Sequence, residues 1–210
     1  MVDLYQERNV RGMVGINEEY ELLRNTVLEQ GRVLGDDVLK VDSFLNHQLD
    51  VRVLNAIGKL FYQQFGALEI DKILTAEVSG IAIAAIAAQY FQVPVVFAKK
   101  TLSKNLDPDT WEGSVYSYTK QQTYQIRVAK RYLGKGEKIL ILDDFLANGQ
   151  AIKGMHQILE ESEAVLMGTG VVIEKSFQAG KEMLRDQGVE VHSLIKVTSL
   201  EGQQIQLREK

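Results

Sequence analysis

Lys138-Ile-Leu-Ile-Leu-Asp-Asp-Phe-Leu-Ala-Asn-Gly-Gln-Ala-Ile-Lys-Gly154 reads as a strand, an acidic edge, a tight turn and the start of a helix. Ile139 to Leu142 is wholly apolar, which suits a strand covered on both faces, as in a parallel sheet. Asp143 and Asp144 follow where that strand is expected to leave the sheet. Asn148-Gly149 is a turn signal, and Ile152, Met155, Ile158 and Leu159 recur at helical spacing after it.

That order of elements has a chemical use. Ligands of open α/β sheets collect beyond the carboxyl ends of the strands, where a starting helix aims free N–H groups and its positive dipole end at them. Such amides bind a phosphate without Lys or Arg, and paired carboxylates one step back hold the vicinal hydroxyls of a sugar. Together they describe a site for a ribose 5-phosphate. Two other readings stand beside it. An acidic pair at a strand end also occurs as a plain solvated edge. It occurs too at the magnesium sites of nucleotide hydrolases, but those require a Gly-x-x-x-x-Gly-Lys-Ser/Thr loop, which this chain lacks.

A chain of 210 residues fits one domain with a sizeable core, and 45% hydrophobic with 25% charged residues is an ordinary globular composition. The formal charge of −4 gives no electrostatic case for nucleic acid as a general partner. With no cysteine, disulfides, thiol catalysis and thiolate zinc sites are excluded. The three histidines, His47, His156 and His192, lack metal-ligand spacing, so no protein-held metal is expected. No run reaches transmembrane length and the start lacks the apolar core of a signal peptide, so a cytoplasmic location is the default expectation.

Outward from the central stretch, apolar strands alternate with helices. Residues 1–17 carry no clear period and are expected to be a disordered extension or leader, leaving 18–210 as the single domain. Glu18 to Gln30 has helical spacing, and Val38-Leu39-Lys40-Val41 is a short strand. Phe44 to Gln48 then suits either a small lobe covering a ligand or a loop pinned by its own side chains. Asp50 caps a helix whose buried face runs from Val53 to Phe65. Ile70 to Thr75 is a strand, and Ser79-Gly80 opens a helix of Ala and Ile, a second and weaker anion cradle. Val93 to Ala98 is the next strand.

Between about 99 and 122 the periodicity fails in a mostly polar stretch that supplies Lys99, Lys100, Lys104 and Lys120 as cations and Tyr116 and Tyr118 as hydroxyls. A run this long suits a lid over a polyanion or an exposed hairpin. Tyr124, Ile126 and Val128 alternate as a returning strand, and Val165 to Ile173 is a further strand. At its far end Lys175 is placed to donate to a carbonyl oxygen of a flat heterocycle while Phe177 packs on its face, or to be a surface cation. A short helix from Ala179, a strand from Val189 and a last pairing by Ile205 and Leu207 complete the chain. The expected fold is α/β, a mainly parallel doubly wound sheet flanked by helices, with a small hood lobe.

Lys138 to Ala151 resembles the phosphoribosyl pyrophosphate motif of the type I phosphoribosyltransferases. Val38 to Gln48, Ser114-Val115-Tyr116-Ser117 and Ile173-Glu174-Lys175-Ser176-Phe177-Gln178 resemble, in order, the xanthine phosphoribosyltransferases of bacteria. The resemblance implies transfer of the 5-phosphoribosyl group from phosphoribosyl pyrophosphate to xanthine, giving xanthosine 5'-monophosphate and pyrophosphate in purine salvage. Magnesium would be carried by the pyrophosphate, and the enzyme would be a homodimer. Ala147, Asn148, Gly149, Gln150 and Ala151 would bind the 5-phosphate, and Asp143 and Asp144 the ribose hydroxyls. Ser79 and Gly80 would lie at the pyrophosphate loop, with Lys100 and Tyr116 in the lid. Leu39, Asn46 and Lys175 would contact xanthine.

The departures from the family pattern have chemical consequences. Many purine enzymes of the family carry an acidic residue just before the turn, where this chain has Ala147. That removes a carboxylate base and leaves an already acidic purine, a water or electrostatic support from Lys175. Asn148 and Ala151 stand where hydroxyl residues are common, so phosphate binding leans on backbone amides and Asn148. Two rivals remain at this level, a guanine or hypoxanthine enzyme and a non-catalytic sensor of phosphoribosyl pyrophosphate.

Overall fold

The computed structural model describes residues 18–100, 109–117 and 121–208. The expected leader at 1–17 and parts of the expected lid, 101–108 and 118–120, lie outside the described residues. Ten strands are described: β1 (Arg32–Leu34), β2 (Val38–Lys40), β3 (Lys72–Ala76), β4 (Val95–Ala98), β5 (Thr110–Ser117), β6 (Gln122–Ala129), β7 (Lys138–Leu146), β8 (Val165–Lys175), β9 (His192–Ser199) and β10 (Gln206–Leu207). The helices are α1 (18–30), α2 (Val51–Phe65), α3 (Ser79–Phe91), α4 (Gln150–Ser162) and α5 (Gly180–Asp186).

A six-stranded sheet of order β10-β9-β8-β7-β3-β4 carries the chain. All its pairings are parallel except β10 against β9. The apolar run of β7 explains its central place, because Leu140 and Leu142 enter the core on one face while Ile139 and Ile141 enter the core on the other. On the first face α2 and α3 pack with the hood; on the second, α4 packs with the β5–β6 hairpin. Gly168 and Gly170 of β8 admit the rings of Phe65 and Phe61, which an added Cβ would approach to 2.8 and 2.7 Å. A sheet of Val and Ile alone would hold α2 farther off.

Two expectations change in the structure. β7 does not end before the carboxylates: Asp143 pairs with Val171 and Phe145 with Ile173, so the acidic pair lies inside the ladder. The cause is β8, which runs on beside β7 as far as Lys175 and supplies partners. The stretch expected as a lid contains β5, paired with β6 in antiparallel register from Thr110↔Ala129 to Ser117↔Gln122. Its alternation was masked by polar residues whose partners lie elsewhere: Ser114 N–H donates to Gln157 Oε1 of α4 (2.8 Å) and Trp111 Nε1–H to Leu133 O (2.8 Å). Gly113 lets the strand meet α4 backbone to backbone, since a Cβ there would lie 2.0 Å from Gly154 O.

The hood joins α1, the β1–β2 hairpin and a single π-type turn over Asp42–Asn46. Leu23, Val27, Leu39, Val41, Phe44 and Leu45 are buried in the core beneath α2. Hydrogen bonds from Arg32 and Lys40 hold the Asp42 carboxyl down at about 2 and tie the turn to the hairpin. Asp50 then caps α2 by accepting from Arg52 N–H at 2.9 Å.

Candidate active site

Three neighbouring strands, β3, β7 and β8, deliver the polar groups to one edge of the sheet. Asp143 is 5% exposed, and Asp144 beside it is half-buried. Asp144 N–H donates to Asp143 Oδ1 (3.0 Å), and Phe145 N–H donates to Asp144 Oδ1 (2.9 Å). Burial pushes the Asp143 carboxyl well above the usual carboxylate range, the charge of Asp144 pushes it further, and Lys100 pulls against both. Asn46 of the hood donates its Nδ2–H to Asp144 Oδ2 at 3.2 Å. The hood turn and the acidic strand end are thereby brought together, while Gln48 Nε2–H donates to Ser43 O (3.0 Å) within the turn itself.

Beyond β7, Ala147 and Asn148 lead to Gly149, whose φ of +71° lies in the left-handed region that favours glycine. The first intrahelical bond of α4 runs from Lys153 N–H to Gly149 O (2.9 Å), so the N–H groups of Gln150, Ala151 and Ile152 precede the ladder. Ala151 lines the same cleft as the carboxylates. The first turn of α5 backs the loop from behind. Gly180 N–H donates to Ala147 O (3.1 Å), and a Cβ on Gly180 would fall 2.1 Å from that oxygen and 2.6 Å from Gly149 N.

The second junction faces the first across the cleft. Ser79 and Gly80 open α3, and both line the cleft with Glu77, Lys100, Asp143, Asp144 and Phe145. The Glu77–Val78 peptide bond is cis. Lys100 N–H donates to Glu77 Oε1 (2.6 Å), and its ammonium stands 5.8 Å from the Tyr124 ring.

At the end of β8, Lys175 Nζ donates to Asp37 O in the hood at 2.5 Å and lies 6.0 Å from the Phe145 ring. Burial pulls its pKa below the ordinary lysine value, against the opposing charge of Asp37. Lys175 is therefore not a free surface cation. Leu39 is 6% exposed in the hood core, so its side chain packs the lobe together. Phe177 is exposed in the turn after β8, and Tyr116 is exposed on β5. The ring beside the Lys175 ammonium is that of Phe145.

Phe145, Glu77 and Tyr124 are among the cleft residues that the sequence left without a role. The signal for Phe145 was its place in the central motif, lost because β7 was expected to stop before it. Glu77 directly precedes Val-Ser-Gly at the second strand end, and no spacing rule singles it out.

Two carboxylates at the end of a central parallel strand, an amide-lined turn into a helix, and a second turn facing them under a hood make up the site of a type I phosphoribosyltransferase. The Phosphoribosyl transferase domain family matches residues 42–201. The chain is 62% identical over 174 residues to a xanthine phosphoribosyltransferase of Alkaliphilus metalliredigens, covering 83% of this chain and 86% of that one. It is 54% identical over 189 residues to one of Ruminiclostridium cellulolyticum, covering 90% and 100%. Among solved structures, an adenine phosphoribosyltransferase of Rhodothermus marinus superposes with a TM-score of 0.68 at 18% identity, over 86% of this chain and 99% of that one. At that identity the superposition speaks for the fold. The chain belongs to the phosphoribosyltransferase family, within its xanthine phosphoribosyltransferase branch.

Proposed function

We propose that this chain transfers the 5-phosphoribosyl group of phosphoribosyl pyrophosphate to xanthine, giving xanthosine 5'-monophosphate and pyrophosphate. The observation that carries the reading is the hydrogen bond from Asn46 to Asp144, which sets a polar group of the hood against the sugar-binding strand end. A base held between Asn46 and Lys175 would lie beside a ribose held by Asp143 and Asp144. Its 5-phosphate would reach the amides of 147–151, and its diphosphate the turn at Ser79 and Gly80.

As the C1'–O bond breaks, its electron pair leaves with the pyrophosphate and positive charge builds on the ribose ring. The purine nitrogen supplies the pair for the new C1'–N bond. The carboxyl groups of Asp143 and Asp144 are read as holding the ribose hydroxyls and facing that charge. Lys100, which lines the cleft, and Tyr116 are the groups read as helping to exclude water. Lys175 donates to a carbonyl oxygen of the base, and the negative charge of an ionised dioxopurine makes that bond stronger. A purine that loses its proton near neutrality needs no carboxylate base, in keeping with Ala147.

Among the described residues there is no group of three or more His, Cys, Asp or Glu that could hold a metal ion. A magnesium ion would be carried on the diphosphate as part of the substrate, where it would supply positive charge against the leaving group. A homodimer and a cytoplasmic setting complete the reading; light scattering of the purified chain tests the first. Turnover is tested by pyrophosphate release from phosphoribosyl pyrophosphate and magnesium with xanthine, guanine, hypoxanthine or adenine supplied separately. Release should be fastest with xanthine. Faster release with guanine or hypoxanthine would move the assignment to those bases, and binding without release would make the chain a sensor.

A further inference from the structure

Thr75 stands on β3 wholly buried, and its hydroxyl has no hydrogen-bond partner among the described residues. A buried hydroxyl without a partner is destabilising, and an apolar group of the same shape would serve folding as well or better. Its sequence neighbours Leu74 and Ala76 are buried and apolar. The hydroxyl therefore calls for an explanation from the site.

Its polar surroundings supply one. A Cβ built on Gly80 would lie 2.0 Å from Thr75 Oγ1 and 3.1 Å from Asp143 Oδ1, so the hydroxyl and the carboxyl flank one point at the start of α3. Glycine at position 80 keeps that point clear. Asp143 accepts from Asp144 N–H at one oxygen, whereas an ionised carboxylate offers about four acceptor positions and, when buried, requires donors for them. The charged and titratable groups that face it are Asp144 on β7, Lys100 beyond β4, Tyr124 on β6 and Glu77 in the turn after β3. Lys100 favours the ionised form and Asp144 opposes it.

We propose that Thr75 is a positioning residue for Asp143: its hydroxyl donates to the ionised Asp143 carboxylate and turns that group toward the ribose hydroxyls. The hydroxyl oxygen and the carboxyl oxygen lie 2.0 and 3.1 Å from the one point that Gly80 keeps clear. Its ribose half rests on the function proposed above; the hydrogen bond itself does not.

The test is a carboxyl-carbon NMR titration of Asp143 in the full chain, for wild type, Thr75→Val and Thr75→Ser, with thermal melts of each. A donor to the charged form lowers its pKa, so Thr75→Val should move the Asp143 midpoint up by about one pH unit. Thr75→Ser should leave it in place. Below the Asp143 midpoint Thr75→Val should melt level with wild type, and above it lower, because the charged carboxylate has then lost a donor. An unmoved midpoint in Thr75→Val would overturn the proposal. So would a large fall in melting temperature with no shift, which marks a packing role. In turnover, the acidic limb of kcat/KM for phosphoribosyl pyrophosphate should move with the midpoint. Wild type that releases no pyrophosphate with any base would sink the function while the titration still decided the hydrogen bond.

Discussion

Gly180→Ala places one methyl group behind the phosphate loop. The new Cβ would stand 2.1 Å from Ala147 O, 2.6 Å from Gly149 N and 2.7 Å from the Asn148 carbonyl carbon. Ordinary contact for a carbon is about 3.5 Å or more, so something must move by about 1 Å. Helix α5 is the anchored partner. Lys181 pairs with Glu174 at 2.8 Å; Glu174 is itself 3% exposed and accepts from Ser176 and Ser193; and Leu184 is fully buried. Burial alone would push the Glu174 carboxyl up, but the bonds from Lys181, Ser193 and Ser176 outweigh it and hold the group ionised. The loop is therefore what gives, and the Gly149 amide moves with it. A displacement of about 1 Å in a positioning element costs on the order of a hundredfold. Initial rates should show kcat/KM for phosphoribosyl pyrophosphate down by about that factor, with KM for xanthine close to wild type. Overpacking should cost about 1–3 kcal/mol in a denaturant titration. Folded Gly180→Ala with an unchanged KM for phosphoribosyl pyrophosphate would refute the assignment of 147–151 to the phosphate.

Further variants separate the roles of the site residues. Asp144→Asn should lower kcat about a hundredfold or more while costing about 1 kcal/mol of stability, because Phe145 N–H keeps an acceptor and the Asn46 amide flips; unchanged turnover would remove Asp144 from the ribose role. Lys175→Met should raise KM for xanthine about tenfold or more and leave KM for phosphoribosyl pyrophosphate unchanged, and an effect on the second KM alone would move Lys175 out of the base pocket. Asp143→Asn should abolish turnover yet melt higher than wild type at about pH 8 and level with it below about pH 4. The sign follows from the raised Asp143 pKa: the folded chain holds this proton more tightly than the unfolded chain, so stability falls as pH rises above the ordinary carboxylate range until the folded group ionises. A variant that melts lower than wild type at both pH values would refute it.

Elements whose burial repeats along the chain were legible in the sequence. Ile139 to Leu142 read as a central parallel strand because no face of it needs a polar residue, and all four are fully buried. Asp50 announced α2 because its cap is made two residues away. What stayed hidden depends on distant chain. The reach of β7 past Asp143 is set by β8, and β5 hides its period because Gly113 and Ser114 are fitted to α4 rather than to an apolar layer. Asp143 and Asp144 were visible as a pair, but the hydrogen bond from Asn46 spans 98 positions and that from Lys175 to Asp37 spans 138, and no local pattern carries either. Thr75 looked like any β-branched residue of a strand. Its interest lies in a missing partner, which only three dimensions reveal.

Asp143, Thr75 and Lys175 sit near the carboxyl ends of β7, β3 and β8, adjacent in the sheet, and each is held in surroundings that disfavour its polar state. Ahead of them on the same strands stand Ile139 to Leu142, Ile73 with Leu74, and Val171 to Ile173, all fully buried. Burying each aliphatic side chain contributes about 1.5–3 kcal/mol, so nine of them outweigh the few kcal/mol lost at the three polar groups several times over. The apolar halves thus fix the strands rigidly enough to present polar ends that would relax or hydrate if they were free. An asymmetry along each strand follows. Truncation of one of these apolar residues should cost folding and leave the residual enzyme with normal KM values, whereas neutralising Asp143 should cost turnover and raise the melting temperature at pH values above the ordinary carboxylate range. Asp143→Asn is the substitution in which the chemistry of the site and the stability of the sheet pull in opposite directions.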